Sequence, residues 1–375
     1  MKKIKILIVI FLCSGCLSNP PQKGLYLDVA EQLYGKESSF CLSEICDSIS
    51  YIPLETHPDA LLRGLNMGIK TAADYIFIQD QNAIYRFDCK GNYEGKLDKH
   101  GRGPHEFLQI MGFDINTCTH ELYIYDNILG KIEVVDFNFK PLRTLQPVPL
   151  NIQDIAIDKN GHIVCGIIRN DVLAQGKTQD AIIILNAQNG HEIGKRKSKI
   201  PTAQVQGTSN FIYSTILTKY NHNIHYKEHR SDSYYLFQDT SQCDSIHFTV
   251  NVGKNYSVEW DYDETKMDKM SQYPSFDGAV ETINHIFIYF RPQNENSRLA
   301  CYHKKTQRLT VFPKGEFPTN DIDNGLSPKC FRKVDDKTLI EVIPAIKFID
   351  TYRDRNTFHI NEEDNPILML IHLKE

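Results

Sequence analysis

The sequence lacks the features by which several classes of protein are recognised. It has one tryptophan, Trp260, and ten cysteines; once Cys13 and Cys16 near the start are set aside, the other eight include no Cys-x-x-Cys pair, so a zinc site built on paired thiolates is not indicated. It contains no GxSxG or HExxH motif, the usual signs of a serine nucleophile or a zinc protease. Its one basic run after the first residues, KRKSK (195–199), is short and the net charge is only −5, which argues against nucleic acid as a partner.

Long hydrophobic runs are also scarce. The run from Ile6 to Leu12 follows three lysines and precedes small residues, which is typical of a secretory signal. It is too short to span a bilayer, which needs about 20 apolar residues. Ser14, Gly15 and Cys16 are similar to a bacterial lipobox, although such a box usually carries leucine where Cys13 stands. Secretion without a lipid is the alternative.

The first 16 residues predict how the protein is attached to a membrane. We expect residues 1–16 to be a lipoprotein signal peptide with a lipidated Cys16, followed by a tether at 17–37. Several acyl chains would anchor the protein on a membrane that it does not cross. Lipoproteins sent to the outer face of some bacterial outer membranes carry acids directly after the cysteine, and here the first acid is Asp28. We therefore expect an outer-membrane lipoprotein of the cell envelope, with the periplasmic face favoured over the cell surface.

The other eight cysteines are scattered, and Cys41 and Cys46 are the closest pair. An exported compartment permits disulfides. A β-rich core also buries single thiols as small apolar groups, which is the favoured interpretation here.

Similar groups of short strands recur along the chain. DYIFIQD (74–80), AIYRFD (83–88) and YEGKLD (93–98) are followed by ELYIYD (121–126), KIEVVD (131–136) and PLRTLQ (141–146). Aromatic and β-branched residues fill these segments, and turn-forming residues separate them. The middle segments end at Asp88 and Asp136, 48 residues apart, and Asn186 follows 50 residues later in a third copy. A period near 50 residues built from strands alone predicts a β-propeller.

Later copies and the two chain ends give the number of blades. The fourth and fifth copies are represented by NIHYKE (223–228), SYYLFQD (233–239), SIHFTV (245–250), HIFIYF (285–290), RLACYH (298–303) and RLTVFP (308–313). TLIEVIP (338–344) and ILMLIHL (367–373) supply only two strands of a sixth, whereas SISYIPLE (48–55) is an isolated strand. We expect an all-β fold over residues 38–375, a six-bladed β-propeller of four-stranded antiparallel blades. An N-terminal strand at the edge of the last blade would close the ring, which protects an open edge.

The phrases LSEICDSISYIPLET, GRGPHEF, ELYIYD, YNHNIHY and DNPILMLIHLK together resemble the six-bladed β-propeller lipoproteins of Bacteroidetes, whose repeats are NHL-like or TolB-like. The resemblance covers roughly residues 40 to 375. His105 and His222 depart from the family pattern, which has glycine and aspartate there. The resemblance implies the fold but no agreed reaction, so it supplies no catalytic residue.

The stretch HGRGPHEF (100–107) is the most conspicuous candidate site. A phosphate-binding loop needs a helix after its glycines, but IMGFDIN (110–116) has the pattern of a strand. We therefore interpret the stretch as a crossing between blades, in which glycines give the backbone freedom. Arg102, His105 and Glu106 are nevertheless the predicted ligand-binding residues. Arg102 and Glu106 either pair across the turn or line the mouth of the channel.

Three other segments are weaker candidates. His222, His225 and His229 have helical spacing but lie in a strand and turn, where His222 and His225 point to opposite faces, so we predict no metal and no cofactor. EWDYDETKMDKM (259–270) lacks the glycine and the last glutamate of a calcium loop. AIKFIDTYRDRNTF (345–358) predicts a helix over one end of the channel, as a cover or a lid.

Two classes of function fit these observations. The favoured one is a monomeric, membrane-anchored lipoprotein that binds a glycan, a peptide or an envelope protein at the end face or in the channel of its propeller. The alternative is a propeller-fold lyase or hydrolase with a polar site at the channel mouth. Histidine, arginine and acidic side chains converging from several blades would favour the enzyme. A channel lined by aromatic rings would favour glycan or peptide binding.

Overall fold

A computed structural model describes residues 24–33, 39–63, 68–72, 74–170, 177–200, 212–238, 244–253, 272–352 and 359–374. Cys16, residues 17–23 and 34–37 of the predicted tether, and the acidic segment 259–270 lie outside the described residues. The prediction of a tether is wrong for residues 25–33, which form a strand paired in a sheet and a short helix. Among the helices in the described ranges, none is long and apolar enough to cross a membrane.

The N-terminal part begins with strand β1 (Leu25–Asp28) and helix α1 (Val29–Leu33). A single 3-10 turn (Leu42–Glu44) then leads into strand β2 (Cys46–Pro53). Both strands join sheets whose other members come from much later in the chain.

Two four-stranded antiparallel sheets follow. The first consists of β3 (Gly68–Ala72), β4 (Tyr75–Asp80), β5 (Ala83–Asp88) and β6 (Tyr93–Leu97). The second consists of β7 (Ile110–Asn116), β8 (Glu121–Asp126), β9 (Lys131–Asp136) and β10 (Pro141–Leu145). In both sheets the strands pair in chain order, so the hairpins predicted from the alternation of apolar segments and turns are confirmed.

The next eight strands share one sheet. They are β11 (Ile152–Ile157), β12 (Ile163–Asn170), β13 (Asp180–Leu185), β14 (Glu192–Lys197), β15 (Ile212–Tyr220), β16 (Asn223–Glu228), β17 (Ser233–Leu236) and β18 (Ser245–Asn251). β1 adds a ninth strand, parallel to β18. The last three residues of β12 extend past β13 and pair with the start of β15.

The last strands form two further four-stranded sheets. One consists of β19 (Ser275–Glu281), β20 (His285–Arg291), β21 (Arg298–His303) and β22 (Arg308–Val311). The other has the order β2, β25 (Ile367–Leu373), β24 (Thr338–Ile343), β23 (Arg332–Asp335). The predicted pairing of the N-terminal strand with the last strand is confirmed, since β2 runs antiparallel to β25 from Cys46 to Pro53.

The fold is therefore an all-β, propeller-like arrangement with four-stranded antiparallel blades. The prediction of six separate sheets differs from the sheet pairing of the described residues, which gives four separate four-stranded sheets and one of nine strands. The difference arises because β12 is longer than its neighbour β13 and uses its free end to pair with β15.

Side-chain hydrogen bonds explain the repeated Asp and Asn that marked the period. The Asp88 carboxylate accepts hydrogen bonds from the backbone N–H groups of Lys90 and Asn92, at 2.8 and 2.9 Å. Asp136 and Asn186 accept similar backbone hydrogen bonds in the corresponding hairpins of the next two groups of strands. An Asx side chain bonded to the backbone two residues later stabilises a tight turn, so the period seen in the first three repeat units reflects a shared geometry of their last hairpins.

The core lies between neighbouring sheets. Phe77 and Ile84 of the first sheet pack with Phe113 and Leu122 of the second, for example, and all four are buried. The seven described cysteines are free thiols, with Cys46, Cys165 and Cys301 buried. The favoured interpretation of the cysteines as small core residues therefore holds for these three, whereas Cys89, Cys118 and Cys330 are exposed.

Helix α2 (Ala345–Tyr352) confirms the predicted helix in its first eight residues, but not its position. Its Phe348 and Tyr352 rings each lie 5.4 Å from the Tyr51 ring of β2. The helix thus packs against the outer strand of the last sheet, and none of its residues lines the central cavity described below. The buried aromatic side chains of the helix, Phe348 and Tyr352, are used in this packing.

Candidate functional site

The first strand of each group, namely β3, β7, β11, β15, β19 and β23, borders a single central cavity of 880 Å³. This volume is in the range of roughly 300–1,000 Å³ that is usual for ligand pockets. Each of the six strands contributes one charged side chain to the lining: Lys70, Asp114, Asp154, Lys219, Glu281 and Lys333. We call these six residues the charged ring; it holds three lysines and three acids.

Asp114 is the most enclosed member of the charged ring. Its carboxylate lies 3.2 Å from Lys70 Nζ, accepts a close hydrogen bond from Lys219 Nζ, and accepts the Ile157 N–H at 2.7 Å. Burial opposes ionisation, but the two ammonium groups outweigh it and hold the pKa of Asp114 below its usual value. Lys70 and Lys219 keep 36% and 39% of their side chains exposed, so their ammonium groups face the cavity.

Asp154 has the opposite electrostatic environment. Burial, together with the nearby Asp114 carboxylate, raises the pKa of Asp154 although Lys70 opposes the shift. Its carboxylate accepts backbone bonds from Ile155 at 2.9 Å and from Leu217 at 3.4 Å. Within the described parts of the chain it has no lysine, arginine or histidine at ion-pair distance, so it can accept a cationic group from a ligand.

Lys333 uses its ammonium for hydrogen bonds to protein groups in the cavity wall. Its ammonium donates to the backbone carbonyl of Lys219 and to Asp336 Oδ1, the latter at 2.8 Å. Burial lowers the pKa of Lys333, and the bond to Asp336 limits that shift. The residue therefore joins the last sheet to β15 across the cavity wall.

Glu281 connects the cavity to a group of histidines between the fourth and fifth groups of strands. Its Oε2 lies 2.8 Å from His247 Nε2 and 3.8 Å from His225 Nδ1, and its Oε1 lies 2.6 Å from Lys304 Nζ. Burial raises the pKa of Glu281, but His247 and Lys304 more than compensate and the net shift is downward. Burial and the adjacent His247 lower the pKa of His225 to about 4. Two imidazoles and one carboxylate are a donor set that could hold a metal ion.

Turns that follow the first strands line one end of the cavity. Residues 117–119, 158–161 and His222 contribute there. In the described part of the lining there is no arginine and no phenylalanine, tyrosine or tryptophan. The sequence analysis gave two alternative linings for the channel. The first, a cluster of histidine, arginine and acidic side chains, is present without its arginine in the described lining, and the second, a channel lined by aromatic rings, is not found there.

The stretch HGRGPHEF lies before the start of β7, whereas the cavity is lined by the last residues of β7 and by the turn after it. The stretch is therefore at the end of the second sheet that is far from the cavity lining. Arg102 is exposed, and among the described residues its side chain makes no hydrogen bond or ion pair. Glu106 bonds to the Gly103 N–H at 2.6 Å rather than to Arg102. None of the three predicted ligand residues lines the cavity.

His105 has a structural contact instead. Its Nδ1 hydrogen-bonds Glu133 Oε1, and Glu133 also accepts Thr144 Oγ1 at 2.8 Å and is fully buried. The backbone of His105 has a φ of 60° and that of His222 has a φ of 59°. This left-handed region favours glycine and is tolerated by aspartate or asparagine. Both departures from the family pattern therefore fall where the backbone restricts the choice of residue.

The charged ring was missed by sequence reasoning because its members are far apart in the sequence. A signal was available, since several of the first strands carry one charged residue among mostly apolar ones, as in GIKTA (68–72), GFDIN (112–116) and ILTKY (216–220). That signal becomes informative only after the first strands have been aligned. The His225, His247 and Glu281 group was missed for the same reason, because the histidines were compared only with neighbours in the sequence.

Two solved structures that share the fold come from Bacteroides species. One, from Bacteroides fragilis, is named as an exported protein; it has a TM-score of 0.70 and 14% identity, with 94% of this chain and 99% of that chain covered. Another, a member of the DUF4221 family from Bacteroides vulgatus, has a TM-score of 0.53 and 11% identity, with 88% and 97% covered. At these identities the likeness concerns the fold alone. No curated protein matches the sequence.

A family model provides the assignment that these structures do not. The model described as "Domain of unknown function (DUF4934)" matches residues 26–372, which include every strand except the first residue of β1 and the last residue of β25. The chain therefore belongs to the DUF4934 family.

Proposed function

We propose that the protein is a cell-envelope β-propeller that binds a small zwitterionic ligand, such as a short peptide, in its central cavity. The observation that carries this proposal is the charged ring. Each first strand contributes one charged side chain to it, and the number of lysines equals the number of acidic residues. A cavity with both signs of charge complements a ligand that has both an ammonium and a carboxylate.

The charges inside the cavity are arranged to receive such a ligand. Asp154 faces the cavity with only backbone partners among the described residues, so it would bind the ligand's ammonium. Lys70 and Lys219 share the single carboxylate of Asp114 and remain partly exposed, so they would bind the ligand's carboxylate. A glycan is less well supported, because the described lining offers no aromatic ring of Phe, Tyr or Trp on which a sugar could stack.

Calorimetric titration with a library of di- and tripeptides, and with neutral oligosaccharides as comparison ligands, tests the proposal. We expect peptides with both termini free to bind, and Asp154→Asn to weaken that binding by about tenfold or more, equivalent to ~1.4 kcal/mol. Asp47→Asn is the matched control, because Asp47 is exposed on β2, away from the cavity. Binding of oligosaccharides alone, or equal peptide affinity in the wild type and Asp154→Asn, would contradict the proposal.

We infer that the ring has six blades over residues 38–375. The six first strands around one cavity support this number, with the nine-stranded sheet counted as two blades joined by the end of β12 plus the added β1. An experimental structure in which the nine strands form one flat blade would overturn the count.

We also propose that the protein is a monomeric outer-membrane lipoprotein on the periplasmic face, with residues 1–16 as signal peptide, Cys16 as lipidation site and the residues between Cys16 and β1 as tether. The sequence features of the first 16 residues and the exported protein of similar fold support this location. Cys16→Ser should move the protein from the membrane fraction to the soluble fraction. Protease protection in intact cells distinguishes the periplasmic face from the cell surface.

A lyase or hydrolase is the second candidate, favoured by the contrast between the two neighbouring aspartates. The pKa of Asp154 is raised by burial, whereas that of Asp114 is held low despite burial by Lys70 and Lys219. Carboxyl groups whose pKa values are shifted apart can serve as acid and base. Mass spectrometry of bound peptides after long incubation tests it, with intact peptides as the result that excludes turnover of those substrates.

A further inference from the structure

We propose that His225, His247 and Glu281 form a Zn²⁺ site at the edge of the central cavity. The three side chains come from β16, β18 and β19, so the site would join the fourth and fifth groups of strands. This inference does not require the peptide ligand proposed above, although Glu281 belongs to both sites.

The distances between the donor atoms suit a zinc ion. His247 Nε2 and His225 Nδ1 lie 2.8 and 3.8 Å from the same oxygen, Glu281 Oε2, and one donor atom from each residue lies within 4.8 Å of the others. Donors at about 2.0 Å from a tetrahedral ion are about 3.3 Å apart, which falls between these two separations. Shifts of about 0.5 Å would bring each histidine nitrogen and Glu281 Oε2 to this separation, and the two imidazole nitrogens, which lie within 4.8 Å of each other, would have to close by up to about 1.5 Å.

The rings need one adjustment. The His225 and His247 imidazoles are stacked, with centroids 4.1 Å apart and planes inclined by 15°. Two parallel rings cannot both direct an in-plane lone pair at one ion, so one must rotate about its Cβ–Cγ bond. His247 has 28% of its side chain exposed and has the freedom to turn, whereas His225 is held at 4% exposure.

Lys304 fixes the carboxylate from the other side. Its ammonium contacts Glu281 Oε1 at 2.6 Å and donates to the Thr282 carbonyl at 2.7 Å, which leaves Oε2 directed at the histidines. The ammonium also lies 3.9 Å from the centre of the Tyr220 ring, where the π-system attracts its positive charge. Hydrogen bonds of this kind orient a metal-binding carboxylate.

The arrangement leaves room for an exchangeable ligand. Three protein donors leave the fourth tetrahedral position for water or a bound molecule, as in zinc sites that act on ligands rather than only stabilise a fold. Because Glu281 itself lines the cavity, that position would be accessible from it. A ligand with a carboxylate, thiol or hydroxyl group is of the class that such a position accepts.

Calorimetric titration of the purified full-length protein in detergent with ZnCl₂ tests the site. We expect one ion per chain with a Kd of about 1 µM or tighter, and a loss of at least about tenfold in affinity in His247→Ala and in Glu281→Gln. His191→Ala is the control, because His191 is exposed in the turn between β13 and β14, outside the three strands that carry the site, and this variant should bind zinc as the wild type does. No binding below about 100 µM, or binding that both cavity-edge variants leave unchanged, would overturn the proposal.

A second measurement separates lost ligands from lost folding. Co²⁺ bound by two imidazoles and a carboxylate absorbs visible light, so the wild type and His191→Ala should become coloured on addition of Co²⁺. Circular dichroism without metal shows whether His247→Ala and Glu281→Gln remain folded. If either folded variant keeps the wild-type cobalt spectrum, the assignment of that residue as a ligand is wrong.

Discussion

At the scale of single residues, the best-defined ion pair joins Glu121 and Arg143 in the second sheet. The guanidinium donates to both carboxylate oxygens, at 2.6 and 3.1 Å, and the Tyr123 hydroxyl donates at 2.7 Å. The hydrogen bond from Arg143 is the largest cause that lowers the pKa of Glu121, to about 2. Burial acts in the opposite direction and raises this pKa. With 13% of the Glu121 side chain exposed, solvent screens this pair less than a surface pair.

This pair predicts a pH-dependent contribution to stability. Because the folded-state pKa of Glu121 lies below its ordinary value of 4.5, its contribution is complete above about pH 4.5 and is lost as the pH falls toward 2. We expect Glu121→Gln to lower the free energy of unfolding by about 2 kcal/mol at pH 7 and by progressively less below pH 4.5. Urea unfolding at pH 7, 4 and 3 measures the difference.

Glu192→Gln is the control for this prediction. Glu192 also pairs with a cation, Lys195 at 3.4 Å, but 47% of its side chain is exposed, so its removal should have little effect at any of these pH values. If Glu121→Gln lowers the free energy of unfolding by the same amount at pH 3 as at pH 7, lost packing, and not loss of the ionised pair, causes the destabilisation.

At the scale of elements, the sequence predicted the hairpins well and their contacts poorly. Alternating apolar segments ending at Asp88 and Asp136 are local signals, because strand, turn and strand are adjacent in the chain. The pairing of Ile168–Asn170 with residues 212–214 depends on how two groups of strands approach each other in space. The charged ring depends on all six groups at once, so no local pattern could predict it.

The junction between β12 and β15 includes a glycine that is needed for space. Gly166 is buried in β12, and a Cβ there would overlap the backbone carbonyl oxygen of Thr215 and approach the Leu217 side chain to 3.4 Å. Backbone atoms cannot move aside as a side chain can. We expect Gly166→Ala to destabilise the fold by about 2 kcal/mol through this overlap, measured by thermal or urea unfolding.

Gly112→Ala is the matched control on β7. There a Cβ would have one neighbour within 4 Å, Asp154 Oδ1 at 3.9 Å, which is an ordinary contact. Its stability should stay within about 0.5 kcal/mol of the wild type. If both substitutions destabilise the protein equally, loss of glycine rather than close approach of β12 and β15 is the cause.

At the scale of the whole molecule, the ends of the chain meet in one sheet. β2 is the outer strand beside β25, in which Ile367, Leu368, Met369 and Ile371 are fully buried. Without β2, the backbone donors and acceptors of β25 on that side would be an open edge next to apolar residues. Open edges of this kind promote pairing between chains.

Truncation from the N-terminus distinguishes closure by β2 from a general loss of residues. A chain that begins at residue 39 loses β1 and α1, with the buried Leu27 and Val29, but keeps β2; we expect it to remain a folded monomer with a lower melting temperature. A chain that begins at residue 56 also loses β2, and we expect it to aggregate or to melt at least about 10 °C below the longer truncation, because the pairing from Cys46 to Pro53 is gone. Size-exclusion chromatography and thermal unfolding measure both outcomes. Equal behaviour of the two truncated chains would show that the last sheet is stable with three strands and that the ring does not depend on its N-terminal closure.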